Sequence, residues 1–122
     1  MQSITKKEFF WLLINGLSAK LGKSVYPGPI EMSDTVAKNL LDSAASPRYR
    51  KVTHTQSNAI KFEDESWMYF DKPKNCDSRK TYRHEIDGKV IITLVDHRPE
   101  YKNQFGTLIS EQTLILAYEI AK

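Results

Sequence analysis

The stretch Lys80–Tyr101, KTYRHEIDGKVIITLVDHRPEY, carries the strongest structural signal in the chain. Asp87-Gly88 separates two runs that can pair as strands, and Asp-Gly favours a type I′ turn because both central residues need positive φ. A two-residue turn there fixes the register, setting His84 opposite Ile91 and His97 opposite Ser78. Val90, Ile92 and Leu94 supply one apolar face; Ile91, Thr93 and Val95 supply a second that is nearly as apolar. A strand apolar on both sides needs cover on both faces or a partner.

On the N-terminal side, Thr5-Lys6-Lys7-Glu8 fits a capping box. Phe9, Leu13, Leu17 and Leu21 then fall at helical spacing, which predicts a helix from about Lys6 to Leu21 with Gly22 as its C-terminal cap. Tyr26-Pro27-Gly28-Pro29 reads as a rigid loop. Ser33 caps a second helix, Asp34 to Ala45, which Ser46-Pro47 stops. Beyond Pro47 the pattern is that of strands: Arg48–Thr55, then Ala59–Phe62 and Trp67–Phe70 around a turn at Glu63-Asp64-Glu65-Ser66. At the C-terminus, two readings of residues 110–122 compete. Leu114, Leu116, Tyr118 and Ile120 alternate as in a strand, whereas Leu114, Ala117 and Ala121 share a helical face that Ser110 can cap. The strong helix formers Glu, Gln, Leu, Ala and Lys tip the expectation to a helix. The predicted fold is therefore one α+β domain over 1–122. It has two N-terminal helices, an antiparallel sheet of about five strands and a C-terminal helix, with the helices packed on one face of the sheet.

Composition bounds the rest. A chain of 122 residues with 40% hydrophobic content can bury a real core. The net charge of +3, from 18 basic and 15 acidic side chains, is not the signature of a dedicated nucleic-acid binder. The excess lies in the middle, with Arg48, Arg50, Lys51 and Lys61 followed by Lys72, Lys74, Arg79, Lys80 and Arg83. Cys76 is the single cysteine, so an internal disulfide is excluded and a reducing compartment is expected. No signal-peptide pattern and no span of roughly 18–20 apolar residues is present. A cytoplasmic location without membrane contact is the expectation.

Three sets of residues could carry function. His84, His97 and Arg98, with Asp96, could serve metal-free RNA cleavage, in which one imidazole takes a proton, another returns it and a cation steadies the charged intermediate. The hairpin register opposes this: six residues along a strand separate the two histidines by roughly 20 Å. Asp96-His97-Arg98 remains a local cluster at a strand end. Arg48, Tyr49, Arg50 and Lys51 interleave cations with an aromatic, a usable surface for phosphates and bases. Trp67-Met68-Tyr69-Phe70 puts two large side chains on each face of a strand, and the pair the core does not take marks a partner surface. Trp67, Tyr69 and the loop residue Tyr101 are the candidate partner contacts. No metal-ligand spacing and no phosphate-binding loop is seen, so no metal and no cofactor are expected. The leading expectation is a small non-enzymatic protein that binds a macromolecule, another protein or a second copy, as inhibitors, immunity proteins and phage- or plasmid-encoded modulators do. A toxin-like, metal-independent ribonuclease and a nucleic-acid-binding module are the alternatives.

Overall fold

A computed structural model of the protein describes residues 2–121. In chain order the elements are β1 (Gln2–Ser3), α1 (Lys6–Gly16), β2 (Ser18–Pro27), α2 (Asp34–Ser43) and β3 (Arg48–Thr55). They continue with β4 (Ala59–Phe62), β5 (Trp67–Tyr69), β6 (Ser78–Ile86), β7 (Lys89–Arg98), β8 (Tyr101–Lys102), β9 (Leu108–Ile109) and β10 (Gln112–Ala121). Eight strands form one antiparallel sheet in the order β1-β6-β7-β10-β2-β3-β4-β5, and β8 pairs with β9 in a separate ribbon. The molecule is mostly sheet, with two short helices among the described residues, which corrects the expected five-stranded sheet with three helices.

The largest correction is at the C-terminus. Residues 112–121 are not a helix but a central strand, β10, paired with β2 on one side and β7 on the other. Ile115 and Ala117 are buried on one face and Tyr118 on the other, joined there by half-buried Leu116 and Ile120. Helix propensity differs by well under 1 kcal/mol per residue among ordinary residues. Two full rows of ladder hydrogen bonds and burial of both faces outweigh it.

The first helix is also shorter than its apolar spacing implies. Thr5 starts it: its Oγ1 accepts from the Glu8 N–H at 3.2 Å. It stops after Gly16, because Leu17 takes a left-handed conformation at φ 57° and its N–H returns to the Ile14 carbonyl. Residues 18–27 then run as β2. Gly22 is not a helix cap but the point where α2 crosses that strand. A Cβ there would stand 3.1 Å from Leu41 Cδ2 and 3.3 Å from Leu41 Cα. Ser33 caps α2 as expected, accepting from the Val36 N–H at 3.2 Å.

The helices lie on opposite faces of the sheet, not on one. Phe9, Phe10 and Leu13 of α1 pack with Ile92, Leu94, Tyr118, Val52, Ile60 and Phe62. Ala37, Leu40 and Leu41 of α2 pack with Ile91, Ile115 and Ala117. Both faces of β7 are therefore covered from within the chain. The Asp87-Gly88 hairpin has the expected register, His84 opposite Ile91 and His97 opposite Ser78, with φ 52° and 76° at the turn.

The sheet also curls around α1. A register shift between Val52 and His54 bends β3, so that β4 and β5 turn over the helix. Phe70 closes on Phe9 and Phe10 with ring centroids 4.8 Å and 4.0 Å apart. The Tyr118 hydroxyl, in the middle of the sheet, meets Met68 Sδ in the edge strand β5. Burial pushes the Tyr118 phenol up to about 12. The curl brings β5 back to β6, far from it in the sheet order, and Arg79 clips the seam. Its Nε and Nη2 donate to Asp96 at 2.6 Å and 2.8 Å, and its Nη1 donates to the Tyr69 and Asp71 carbonyls at 3.3 Å and 3.1 Å. Asp96 beside it holds the guanidinium above its ordinary range, against the opposing effect of burial.

Candidate functional site

The histidines do not converge. His84 is buried on the α2 face, where Asp34, in the first turn of α2, accepts from Nδ1 at 2.7 Å and Thr93 Oγ1 lies 3.2 Å from Nε2. That contact with His84 holds the Asp34 carboxyl below its usual range, while its partial burial opposes the shift. His97 lies on the same face six residues further along the hairpin, roughly 20 Å away at the usual rise of a strand. Its Nδ1 faces Asp77 at 2.8 Å and its Nε2 faces Glu111 at 2.6 Å. Hydrogen bonds to Asp77 and then Glu111 raise its pKa, since an imidazolium donates to both carboxylates. His54 is exposed on β3, with Nδ1 at 3.0 Å from Thr53 Oγ1. Each ring nitrogen of His84 and His97 is occupied by a contact that holds the fold, and the acid–base pair of RNA cleavage is not assembled.

Asp96-His97-Arg98 is likewise split among three environments. Asp96 is buried in the Arg79 clip, His97 lies on the opposite face between its carboxylates, and Arg98 is half-buried with a buried Nε that has no hydrogen-bond partner. The Cys76 thiol lies 2.9 Å from the Ser78 carbonyl, and burial, then Asp96, pushes its pKa up, the opposite of what a nucleophile needs.

The basic strand is not a continuous cationic row. Arg48 and Lys51 are exposed, but the Arg50 guanidinium lies 3.9 Å from the Phe62 ring centroid and donates to Ser66 Oγ at 2.9 Å. Arg50 thus braces the β4–β5 turn, with Asp64 3.7 Å away.

The aromatic run is divided by the pleat of β5. Met68 and Phe70 point to the α1 core, and Trp67 and Tyr69 point out, 36% and 60% exposed. Their rings stack at 6.4 Å and 27°, and the Lys61 ammonium lies 5.9 Å from the indole centroid while pairing with Glu65 at 2.6 Å. The backbone has a direction as well. Ser66 C=O and Phe70 N–H both bond toward β4. By the alternation of an antiparallel ladder, the N–H and C=O groups of Trp67 and Tyr69 point to the free edge, where Arg79 takes the Tyr69 carbonyl. Tyr101 belongs to the separate ribbon, opposite Ile109, and among the described residues no ring contact joins it to Trp67 or Tyr69. Sequence reasoning missed two further exposed aromatics, Trp11 on α1 and Phe105 at the tip of the β8–β9 turn. Trp11 sits within an apolar helical run, and only the burial of Phe9, Phe10 and Leu13 shows that it lies on the other side.

Among the described residues, no group of three or more His, Cys, Asp or Glu side chains is placed to hold a metal ion, and no helix is long and apolar enough to cross a membrane. Comparison of the chain with protein-family models, with curated proteins and with solved structures finds no match.

Proposed function

We propose that this is a non-enzymatic protein that binds another protein with the outer face of the β4–β5 corner, centred on Trp67 and Tyr69. The single observation behind the reading is the stacked, outward-facing Trp67–Tyr69 pair on the edge strand. Exposed aromatics of this size leave a large apolar area in water, and Trp and Tyr are the residues that most often dominate binding energy at protein interfaces. The same strand offers unpaired backbone groups, so a partner strand can add to the edge while its side chains meet the rings. The groups that would serve catalysis are, by contrast, committed to the fold: Asp96 to Arg79, His84 to Asp34, and His97 to Asp77 and Glu111.

The test is affinity capture from a native lysate with the full chain as bait, together with its solution mass. One protein, or a second copy of the chain, is expected to be retained by wild type and by Trp11→Ala. It is expected to be lost with Trp67→Ala/Tyr69→Ala, a variant that should fold because both side chains lie outside the core. Retention that is indifferent to Trp67 and Tyr69, or a strict monomer that retains nothing, would refute the reading.

A further inference from the structure

We infer a second binding site on β2, where an extended peptide segment of another protein, bearing acidic and apolar side chains, adds as a strand along residues 22–27. β10 pairs with β2 over its whole length, but β3 pairs with it only from Ser18 to Leu21. β3 starts at Arg48, after a connection from α2, residues 44–47, that is too short to follow the rest of β2. The ladder shows which backbone groups this leaves. The Val52 N–H donates to the Leu17 carbonyl and the Gly28 N–H to the Glu111 carbonyl, both at 3.0 Å. By the alternation of an antiparallel ladder, odd-numbered residues of β2 therefore aim their N–H and C=O groups toward β3, and even-numbered ones toward β10. Lys23 and Val25 turn both groups to the side that β3 has left, and Pro27 adds a carbonyl. Among the described residues, no backbone group of the neighbouring loop takes them up.

The edge is already ordered for a partner. β10 fixes its other side and α2 lies against it at Gly22, so a strand can add without first ordering the strand that receives it. A groove of about 460 Å³ runs beside the edge, between Leu21, Lys23 and Val25 on β2 and the loop residues Ala44, Ala45 and Ser46, with Arg48 at its end. The groove also selects its occupant. Leu21 packs on the α1 core and Arg48 lies opposite it, so by strand alternation Leu21, Lys23, Val25 and Arg48 share the α1 face of the sheet. No acidic residue lines the groove. An acidic side chain on the incoming strand meets Lys23 and Arg48, and an apolar one beside it on the same face covers Val25, which is 52% exposed. A second copy of the chain brings the same cations and no acid to this edge. Lysine and proline on an open strand also discourage self-pairing, and Lys23 and Pro27 stand there.

Selection of a displayed library of short random peptides on the full chain tests the site. Enriched peptides should alternate acidic with apolar residues, and their synthetic copies should slow hydrogen exchange at the Lys23 and Val25 amides. Val25→Pro removes one edge donor and sets a ring in the way. It leaves the ladder to β10 intact, because proline is tolerated where the N–H faces away from a neighbouring strand. It should weaken peptide binding about tenfold, as loss of roughly one hydrogen bond does. Lys23→Glu/Arg48→Glu should weaken binding at least as much and leaves the backbone untouched, so the site remains testable if the proline variant misfolds. Trp67→Ala/Tyr69→Ala should leave binding unchanged, so this edge and the aromatic surface fail separately. Three results would overturn the inference: no enriched peptide, enriched peptides indifferent to the charge reversal or to a folded Val25→Pro, or protection of Lys23 and Val25 by self-association of the chain alone.

Discussion

His97 joins three parts of the chain through one ring. Its imidazole donates to Asp77, in the loop before β6, and to Glu111, just before β10. Both contacts favour the charged ring, so its folded pKa lies above the ordinary 6.5. The stability it contributes is therefore fully present below the ordinary value and fades as pH rises through the raised one. An imidazole titration by NMR should give a midpoint above 6.5 that falls in Asp77→Asn and falls again with Glu111→Gln added. A midpoint at or below 6.5 would contradict the clamp. Half of this arrangement is legible in the sequence. The Asp87-Gly88 register sets Ser78 opposite His97 and brings neighbouring Asp77 within reach. Glu111 is not legible, because it lies at the start of a segment whose residue types read as helix. The Asp96 clip is equally hidden: Arg79 faces Asp96 by register, but the carbonyls that Arg79 also holds come from the strand at the far end of the sheet, at Tyr69, and from the loop that follows it, at Asp71.

The elements show where local rules yield to packing. A central strand buried on both faces loses the clean alternation that identifies strands, and β10 then differs little from a helix in pattern. The end of α1 is decided in the same way, by what it meets. A glycine inside a helix normally gives up about 0.5–1 kcal/mol against alanine. At Gly16, however, an added Cβ would lie 1.9 Å from Ile120 Cγ2 and 3.2 Å from the Ala121 carbonyl oxygen. Overpacking costs about 1–3 kcal/mol and outweighs the gain in propensity. Gly16→Ala should therefore lower stability by about 1–2 kcal/mol in urea denaturation. In an Ile120→Ala background, where the obstructing methyl is gone, the same change should cost little or stabilise, as coupled neighbours do. A stabilising Gly16→Ala in the wild-type background would show that α1 does not dock on β10 as described.

At the scale of the molecule, the curled sheet with a helix on each face settles what the two doubly apolar strands mean. The second apolar face of β7 carries no hint of a partner, because α2 covers it. The corresponding face of β5 is different: α2 packs on β2, β6, β7 and β10, and β5 lies beyond it at the sheet edge. Sequence alone puts these strands on an equal footing, since which one lies under a helix depends on strand order and on the bend at Val52–His54. One aromatic surface is left to explain. The most direct measurement is amide hydrogen exchange of the chain alone and in complex with the protein it captures, which reads the opening of individual backbone groups. Added protection is expected over Ala59–Phe70, strongest at the edge-facing amides of Trp67 and Tyr69. Unchanged exchange over Ala59–Phe70, with new protection confined to Lys6–Gly16 or Asp34–Ser43, would contradict it.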